Sequence, residues 1–449
     1  MTWTPAHAPF TPLLVAEIEL SEPPTITYPA SGGAGGGAGG GPAQQALVLV
    51  RLHAAPIGTL VTDAPGGAVD PASCAKTAWA GLAPELEAHL EADARARHHP
   101  GTGPPGDSRP SCQREAAAVL ASPPPVTVIV ASRERPHHLA ACLDSLARLD
   151  YPAYEVVVVD NAPVSGTTAE LVRQRAEPYI RYAREDRRGL AAAHNHGLRL
   201  AGGTVVAFTD DDVIVDRHWL TEIARAFRAD PGVACVTGLI MPAELQTRAQ
   251  IMLEAHGHFG KGYERRVVDW RTRRPADPLF PFTAGRLGSG ANMAFDRDTL
   301  RRLGGFDPAI GAGTVARGGD DLASFFAVLA AGRRLAYQPG ALVWHRHRRD
   351  AASLTDQAYG YGVGLGAYVA SILADHPSVI GRAVRLAPAG LAYVLHQDSP
   401  RNAGLAGIWP RHLVRLERRG MLFGPLAYGV SRWRTRGARP RRDAAGATA

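Results

Sequence analysis

The pattern of apolar and polar positions changes character at Val126. Downstream, short apolar runs alternate with segments of helical periodicity. VTVIVAS (126–132) precedes Pro136 and an apolar stripe of Leu139, Cys142, Leu143 and Leu146; YEVVVVD (154–160) precedes Thr167–Arg175. YIRYA (179–183) precedes Gly189–Ala201, TVVAFT (204–209) precedes His218–Arg228, and VACVT (233–237) closes the series. Runs of β-branched residues without a polar face suit strands buried on both sides, and Pro136 suits the first position of a helix. Repetition of strand and helix at this length predicts an α/β fold, a mostly parallel sheet flanked by helices. Ligands bind such sheets beyond the C-terminal strand ends, so chemistry is sought in the residues that close the strands.

The flanks read differently. Upstream, Ala46–Leu52 and a stretch around Gly58–Thr62 look like strands, and Ala75–Ala92 has helical spacing, with Trp79, Leu82, Leu86 and Leu90 on one side and Pro84 as a break. This predicts a small α+β module over 1–96, interrupted by the Gly-rich insert SGGAGGGAGGG (31–41), with no recognisable chemistry of its own. Residues 97–125, rich in His, Pro, Gly and Ser, read as a linker. The α/β series occupies 126–350, and 351–449 reads as a helical C-terminal region ending in a basic tail.

Composition changes this picture in three places. The net charge of +7 is almost wholly arginine, since Lys76 and Lys261 are the only lysines; genomic base composition explains that bias, and so does a preference for phosphate-bearing ligands, which the planar guanidinium suits. The four cysteines (Cys74, Cys112, Cys142, Cys235) include no C-x-x-C pair, which argues against a zinc site or a disulfide framework and fits a reducing cytosol. The N-terminal stretch does not read as a signal peptide, and no apolar run reaches the roughly 18–20 residues that span a bilayer. A cytoplasmic protein is expected, at most peripheral at the inner face of the membrane, where the arginine-laced C-terminal segment RHLVRLERRGMLFGPLAYGVSRWRTRGARPRR would meet anionic lipid or simply form a solvated tail.

Two strand ends and one helix start carry acids. Asp160–Asn161 closes the second strand, as turn chemistry or as a contact to a ligand. Asp210, Asp211 and Asp212 close the fourth. Adjacent carboxylates at the mouth of an apolar sheet repel one another unless a cation offsets them, and a D-x-D pair supplies the hard oxygens that Mg²⁺ or Mn²⁺ prefers. An exposed acidic loop is the plainer explanation. Asp320 and Asp321 open a helix after a glycine-rich loop; they suit the helix dipole or, for a partly desolvated carboxylate, a general base. His345 and His347, two apart after an apolar strand, point the same way on an extended chain and could complete a metal shell or sit in an exposed basic turn.

Taken in order, these segments resemble the family-two glycosyltransferases of the GT-A fold over about residues 125–350. The carriers are VTVIVAS with Arg133–Pro136, the strand-end Asp160, DRRGLAAAHNHGL with Gly189, Asn195 and Gly197, FTDDDV, GSGANMAFDRDTLRRLGGFDPAIG, GGDDL and VWHRHR. Three positions depart from the family pattern: Asp320 stands where Glu is usual, His194 where Arg is usual before the Asn, and Asn161 where a second acid is common.

The resemblance implies inverting transfer of a sugar from a nucleotide-diphosphate donor to a hydroxyl acceptor, whether glycan, lipid-linked or small molecule, as in the building of cell-envelope polysaccharide. It assigns Asp160, Asn195, Asp210, Asp211 and Asp320 to the nucleotide-sugar, Asp212, Asp210 and His345 to Mg²⁺ or Mn²⁺, and the role of catalytic base to Asp321. Trp270, Phe280 and Phe282 are placed to stack on a sugar or to pack internally. Two other classes stay open. A sugar nucleotidyltransferase usually carries a Gly-rich signature after its first strand, which Ala131–Pro136 lacks. A non-catalytic binder of sugar nucleotides is permitted by the charge; a nucleic-acid partner is not expected, with aromatics at 7% and no stacking motif.

Overall fold

The computed structural model describes residues 11–29, 43–97, 109–257, 259–396, 399, 401–403, 405 and 407–436. The Gly-rich insert and the last residues of the basic tail lie outside them. Two sheets carry the chain. The smaller has the order β2-β1-β3-β4, from β1 (Leu13–Glu19), β2 (Thr25–Thr27), β3 (Gln45–Leu52) and β4 (Ala55–Asp63). It packs with α1 (Pro71–Gly81) and α2 (Ala83–Arg97). The single helix expected over 75–92 is therefore two, divided at Leu82 ahead of Pro84; Leu82 and Leu86 are buried, while Trp79 and Leu90 face solvent. The span read as a linker contains α3 (Ser111–Leu120), whose Val119 is buried in the main core.

The larger sheet is built from β5 (Val126–Ser132), β6 (Tyr154–Asn161), β7 (Ile180–Glu185), β8 (Val205–Asp210), β9 (Val213–Val215), β10 (Val233–Pro242), β11 (Arg266–Val268), β12 (Asn292–Asp296) and β13 (Arg334–His345). Its order is β11-β13-β10-β12-β8-β5-β6-β7, with β9 beside β13. The helices are α4 (Pro136–Leu146), α5 (Thr167–Arg175), α6 (Leu190–Leu200), α7 (Trp219–Ala229), α8 (Arg248–Gly257), α9 (Arg297–Arg302) and α10 (Asp320–Ala330). Beyond β13 come α11 (Ala351–Asp375), α12 (Ile380–Leu395) and α13 (Arg411–Arg434).

Parallel pairing joins β7-β6-β5-β8, as the βαβ rhythm predicts, and recurs at β10-β13. β12 lies antiparallel between β8 and β10. The period of two explains why the central strands are apolar throughout: Val126, Val128, Val130, Val156 and Val158 face one core, and Ile129, Val157 and Val159 the other. Gly197 on α6 lets that helix lie against β5, since a Cβ there would come within 2.6 Å of the Ile129 side chain.

The small sheet docks on the large one. Leu13, Val15, Leu47 and Leu49 share a core with Ile214, Leu239, Met241 and Trp344. At this seam Arg51 is buried against Asp216, Nη1 to Oδ2 at 2.5 Å, with Glu17 at 3.0 Å. Replacing only one member of a buried pair strands the other charge, so Arg51→Met is expected to cost about 3–5 kcal/mol, read from the urea midpoint. Most of that loss should return in Arg51→Met with Asp216→Leu; a double variant no more stable than the single would show that the charge is not what matters.

The helical end is held by close backbone approach. Gly362 and Gly366 of α11 face Gly420 and Gly424 of α13, and a Cβ on Gly424 would sit 2.6 Å from the Gly366 Cα. The small-residue runs of the sequence are thus a helix–helix contact. α12 stands apart: none of its residues is buried, and the segment Pro377–Leu395 is long and apolar enough, by length and composition, to cross a membrane. That corrects the expectation that no run reaches such a length, because Arg382 and Arg385 interrupt a segment whose remaining residues are apolar enough to offset them.

Candidate active site

The strand-end acids converge at the C-terminal edge of the parallel strands, where β8 runs into Asp210 and the turn to β9 holds Asp211 and Asp212. The three carboxylates have distinct surroundings. Asp211 is buried and saturated: Ser132 Oγ donates to Oδ2 at 2.8 Å and Arg135 Nη1 to Oδ1 at 2.6 Å. The other prong of Arg135, Nη2, donates to Asp212 Oδ2 at 2.7 Å. This fork was not assigned from sequence, although Arg135 sits just before Pro136; it supplies part of the positive charge that three adjacent acids need. Asp212 Oδ1 faces His345 Nε2 at 3.3 Å. Burial opposes the Asp212 charge, but His345 and Arg135 outweigh it and hold the carboxyl well below its usual range. For Asp210, burial and then Asp212 push the carboxyl up to about 7. Donor atoms of Asp210, Asp212 and His345 all lie within 4.8 Å of one another.

His345 is held from behind. Its Nδ1 is 3.2 Å from His347 Nδ1, and His347 Nε2 is 2.8 Å from Glu254 Oε2 on α8. The chain Glu254–His347–His345 aims Nε2 at Asp212, the outer-shell support that fixes a ligating imidazole. Glu254 carries no motif, so only the packing of α8 against the end of β13 identifies it.

Asp160 ends β6 fully buried. Tyr182 donates to Oδ2 at 2.9 Å, and Oδ1 makes no hydrogen bond among the described residues, although the Thr168 hydroxyl lies close enough to favour the charged carboxyl. Burial raises its carboxyl above the ordinary value. Asn161 is engaged elsewhere: its Oδ1 accepts from Gly189 N at 2.9 Å and its Nδ2 donates to Arg187 O at 2.8 Å, so it holds the loop into α6. Asn195 spends both ends of its amide on the backbone of Phe306, accepting from N at 2.8 Å and donating to O at 2.7 Å, and thereby ties α6 to the Gly304–Asp307 turn. His194 is buried between Phe208 and Phe306, with its pKa driven down to about 3, so it is a neutral ring where the resemblance has a cation.

Asp320 and Asp321 begin α10 at the wall of a cavity of about 1860 Å³, which Asp210, Lys261 and Tyr361 also line. Asp321 is fixed by backbone donors, Gly290 N to Oδ2 at 2.8 Å and Leu322 N to Oδ1 at 2.8 Å. Its carboxyl is raised, chiefly by burial. Lys261, absent from any motif, is half-buried there, and desolvation lowers its pKa to about 8. Trp270 and Phe282 pack on Phe326, at ring separations of 5.5 and 5.6 Å, and Phe280 is buried. For Trp270, Phe280 and Phe282 internal packing accounts for the ring contacts seen.

Burial, then Asp321, lifts the Asp320 carboxyl from 3.8 to about 7. Across that window the folded protein keeps a proton that the unfolded chain has lost, so this group's contribution makes metal-free stability fall as pH rises from about 4 to about 7. Asp320→Asn removes the effect. Its Tm should exceed that of the wild type at about pH 8 and approach it near pH 4; a difference that is flat with pH would refute this assignment.

The family model described as glycosyltransferase like family 2 matches residues 123–359. The chain belongs to glycosyltransferase family 2. Its sheet flanked by helices is the GT-A arrangement implied by the sequence motifs. The chain is 27% identical over 271 residues to the pre-mycofactocin glycosyltransferase of Mycobacterium tuberculosis, covering 60% of this chain and 52% of that protein. It is 22% identical over 195 residues to the glucosyl-dolichyl phosphate glucuronosyltransferase of Haloferax volcanii, covering 41% and 56%. It thus spans about half the length of these curated relatives. Among solved structures, the mannosyltransferase of Pyrobaculum calidifontis in complex with GDP-Man and Mn²⁺ aligns with TM-score 0.42 and 22% identity, over 82% of this chain and 86% of that one.

Proposed function

We propose that this protein transfers a sugar from a nucleotide-diphosphate donor to a hydroxyl acceptor, with inversion at the anomeric carbon. The observation that carries this reading is that one cavity is lined both by Asp210, a member of the Asp210–Asp212–His345 cluster, and by the backbone-held Asp321. The first offers two carboxylates and an imidazole on one point, a donor set that fits Mg²⁺ or Mn²⁺. Such a cation, when bound, neutralises the diphosphate leaving group.

The remaining steps belong to side chains. The unpartnered Oδ1 of Asp160 supports a contact to a donor group of the nucleoside. Asp211 positions the loop through Ser132 and Arg135, and Asn195 positions the turn at Phe306; both act on the donor through the backbone they hold. Asp321 accepts the acceptor hydroxyl proton as that oxygen bonds to the anomeric carbon and the bond to the diphosphate oxygen breaks. A raised carboxyl suits that transfer, because its proton affinity lies closer to neutrality. Asp320, beside it, lines the same cavity.

The far wall is apolar. Ile380, Val384, Leu386 and Val394 of α12 line the cavity, which favours an acceptor with an apolar portion. Exposed Leu422, Leu426 and Trp433 on α13, interleaved with arginines, fit attachment to an anionic membrane surface at its cytoplasmic side.

The test is titration of UDP, GDP and dTDP into the full chain with Mn²⁺ and then with EDTA, followed by transfer assays with the matching sugar donors. Metal-dependent binding of one nucleotide, and a product whose anomeric coupling in NMR is opposite to that of the donor, support the reading. A folded protein that binds none of them overturns it; binding without turnover leaves a sugar-nucleotide binder.

A further inference from the structure

A second cluster of ligand-type side chains lies far along the chain from these residues, in the N-terminal module. His53 sits in the β3–β4 turn, His89 and Asp93 lie one helical turn apart on α2, and Cys112 is in the first turn of α3. Their donor atoms all lie within 4.8 Å of one another. His53 Nδ1 is 3.0 Å and His89 Nε2 3.5 Å from Asp93 Oδ2, and Cys112 Sγ is 3.9 Å from His89 Nε2.

We propose that His53, His89, Asp93 and Cys112 form a structural zinc site. Zinc takes nitrogen at about 2.0–2.1 Å and thiolate sulfur at about 2.3 Å in a tetrahedron, which puts N and O donors roughly 3.3 Å apart and N and S donors roughly 3.6 Å apart. The two N–O separations, 3.0 and 3.5 Å, bracket the first value, and the N–S separation of 3.9 Å lies a few tenths of an ångström above the second. Four protein donors close the shell, as structural sites do, and a carboxylate with a thiolate cancels the two charges of the metal.

Three features distinguish this from an ordinary hydrogen-bonded aspartate. Asp93 is held from its other oxygen, where Ser111 N at 2.8 Å and Ser111 Oγ at 2.5 Å donate to Oδ1, leaving Oδ2 facing both imidazoles and the sulfur side. This is the outer-shell support typical of a ligating carboxylate. His89 Nε2 faces both the Asp93 oxygen and the Cys112 sulfur, and one nitrogen makes one good hydrogen bond. The turn that carries His53 has φ of 56° at His53 and 67° at Ala54, where Asn-Gly is favoured, and Glu19 accepts from both backbone N–H groups to hold it. A histidine at that position has a conformational cost that metal ligation offsets.

The site would join α3, whose Val119 packs in the core of the large sheet, to the hairpin and α2, which share the core of the small one. α3 leads into β5 and packs on α7, where Arg225 pairs with Glu115 and Arg228 donates to Ala118 O. A metal at this point fastens the hairpin and α2 to the entrance of the large sheet. Small modules with few buried residues commonly need such a staple. The spacing of the cysteines did not suggest it, because three of the four donors are not cysteine; the legible trace was His89 and Asp93 at i and i+4 on a helix.

The experiment uses the full chain purified without a metal-binding tag, dialysed against metal-free buffer and analysed for metals. One zinc per chain is expected in the wild type and in Asp212→Ala, which empties the other cluster. Cys112→Ser and His89→Gln should lose zinc affinity by at least on the order of a hundredfold, since even outer-shell changes cost about 10–100-fold. Cobalt-substituted wild type should show a thiolate-to-cobalt charge-transfer band that persists in Asp212→Ala and disappears in Cys112→Ser. Wild type that retains no stoichiometric zinc and shows no such band with cobalt overturns the proposal, whatever the variants do. A band that survives Cys112→Ser also overturns it.

Discussion

Asp321→Asn is expected to lower kcat by about 10²–10⁴-fold while leaving the affinity for the nucleotide-sugar nearly unchanged. The amide keeps the size of the carboxylate and its oxygen still accepts from Gly290 N; the bond from Leu322 N is lost with the proton acceptor, so a far-UV spectrum and the donor affinity check that the loop stays in place. The raised carboxyl adds a second readout. The base works deprotonated, so kcat/KM should fall as pH drops through its pKa, on a limb that lies above the ordinary carboxylate range. Steady-state kinetics over pH, with donor affinity measured separately, test both. Asp320→Asn is the control. Its carboxylate is also buried, yet a loss equal to that of Asp321→Asn, with Asp321 intact, would move the base to Asp320.

Asp212→Ala is expected to weaken nucleotide-diphosphate binding by about two orders of magnitude or more and to abolish its dependence on Mn²⁺. The reasoning is electrostatic. Cation binding at a diphosphate contributes several kcal/mol, and each 1.4 kcal/mol is about tenfold in affinity. Asp212 alone among the three strand-end acids is held well below the usual carboxylate range, and it faces His345, so it presents a full negative charge to a cation where burial raises the other two. The fold should survive, because Arg135 keeps Asp211 and is partly exposed. Calorimetry with Mn²⁺ and then EDTA, beside a far-UV spectrum, decides it. Unchanged metal-dependent binding would show that the cation sits elsewhere. Asp211→Ala should instead act through structure, since Ser132 and Arg135 lose their shared partner.

Much of this protein is readable from residue order alone. The apolar runs determine β5, β6 and β8 and their helices, because a strand buried on both faces leaves no other economical pattern than a continuous apolar run rich in β-branched residues. The same runs end at Asp160 and Asp210, so the side of the sheet on which ligands meet the chain follows from chain direction. Where local spacing carried no period, the reading failed: α3 lies in a stretch of mixed composition, and its place is decided by burial of Val119 in the main core.

The division of labour within each acidic cluster was decided only by the fold. Asp210, Asp211 and Asp212 are equivalent as letters, yet Ser132 and Arg135 saturate one, His345 faces another, and burial raises the third. Asn195 belongs to a family motif, and its contacts go to Phe306, far downstream in sequence. Glu254, Lys261 and Arg51 stand in no pattern, and the i, i+4 pair His89 and Asp93 meets His53 and Cys112 only in the fold, since each acquires its partner from a segment brought near by packing. Residue order determines elements because periodicity is local; the charge state and task of a buried side chain depend on neighbours that only tertiary structure supplies.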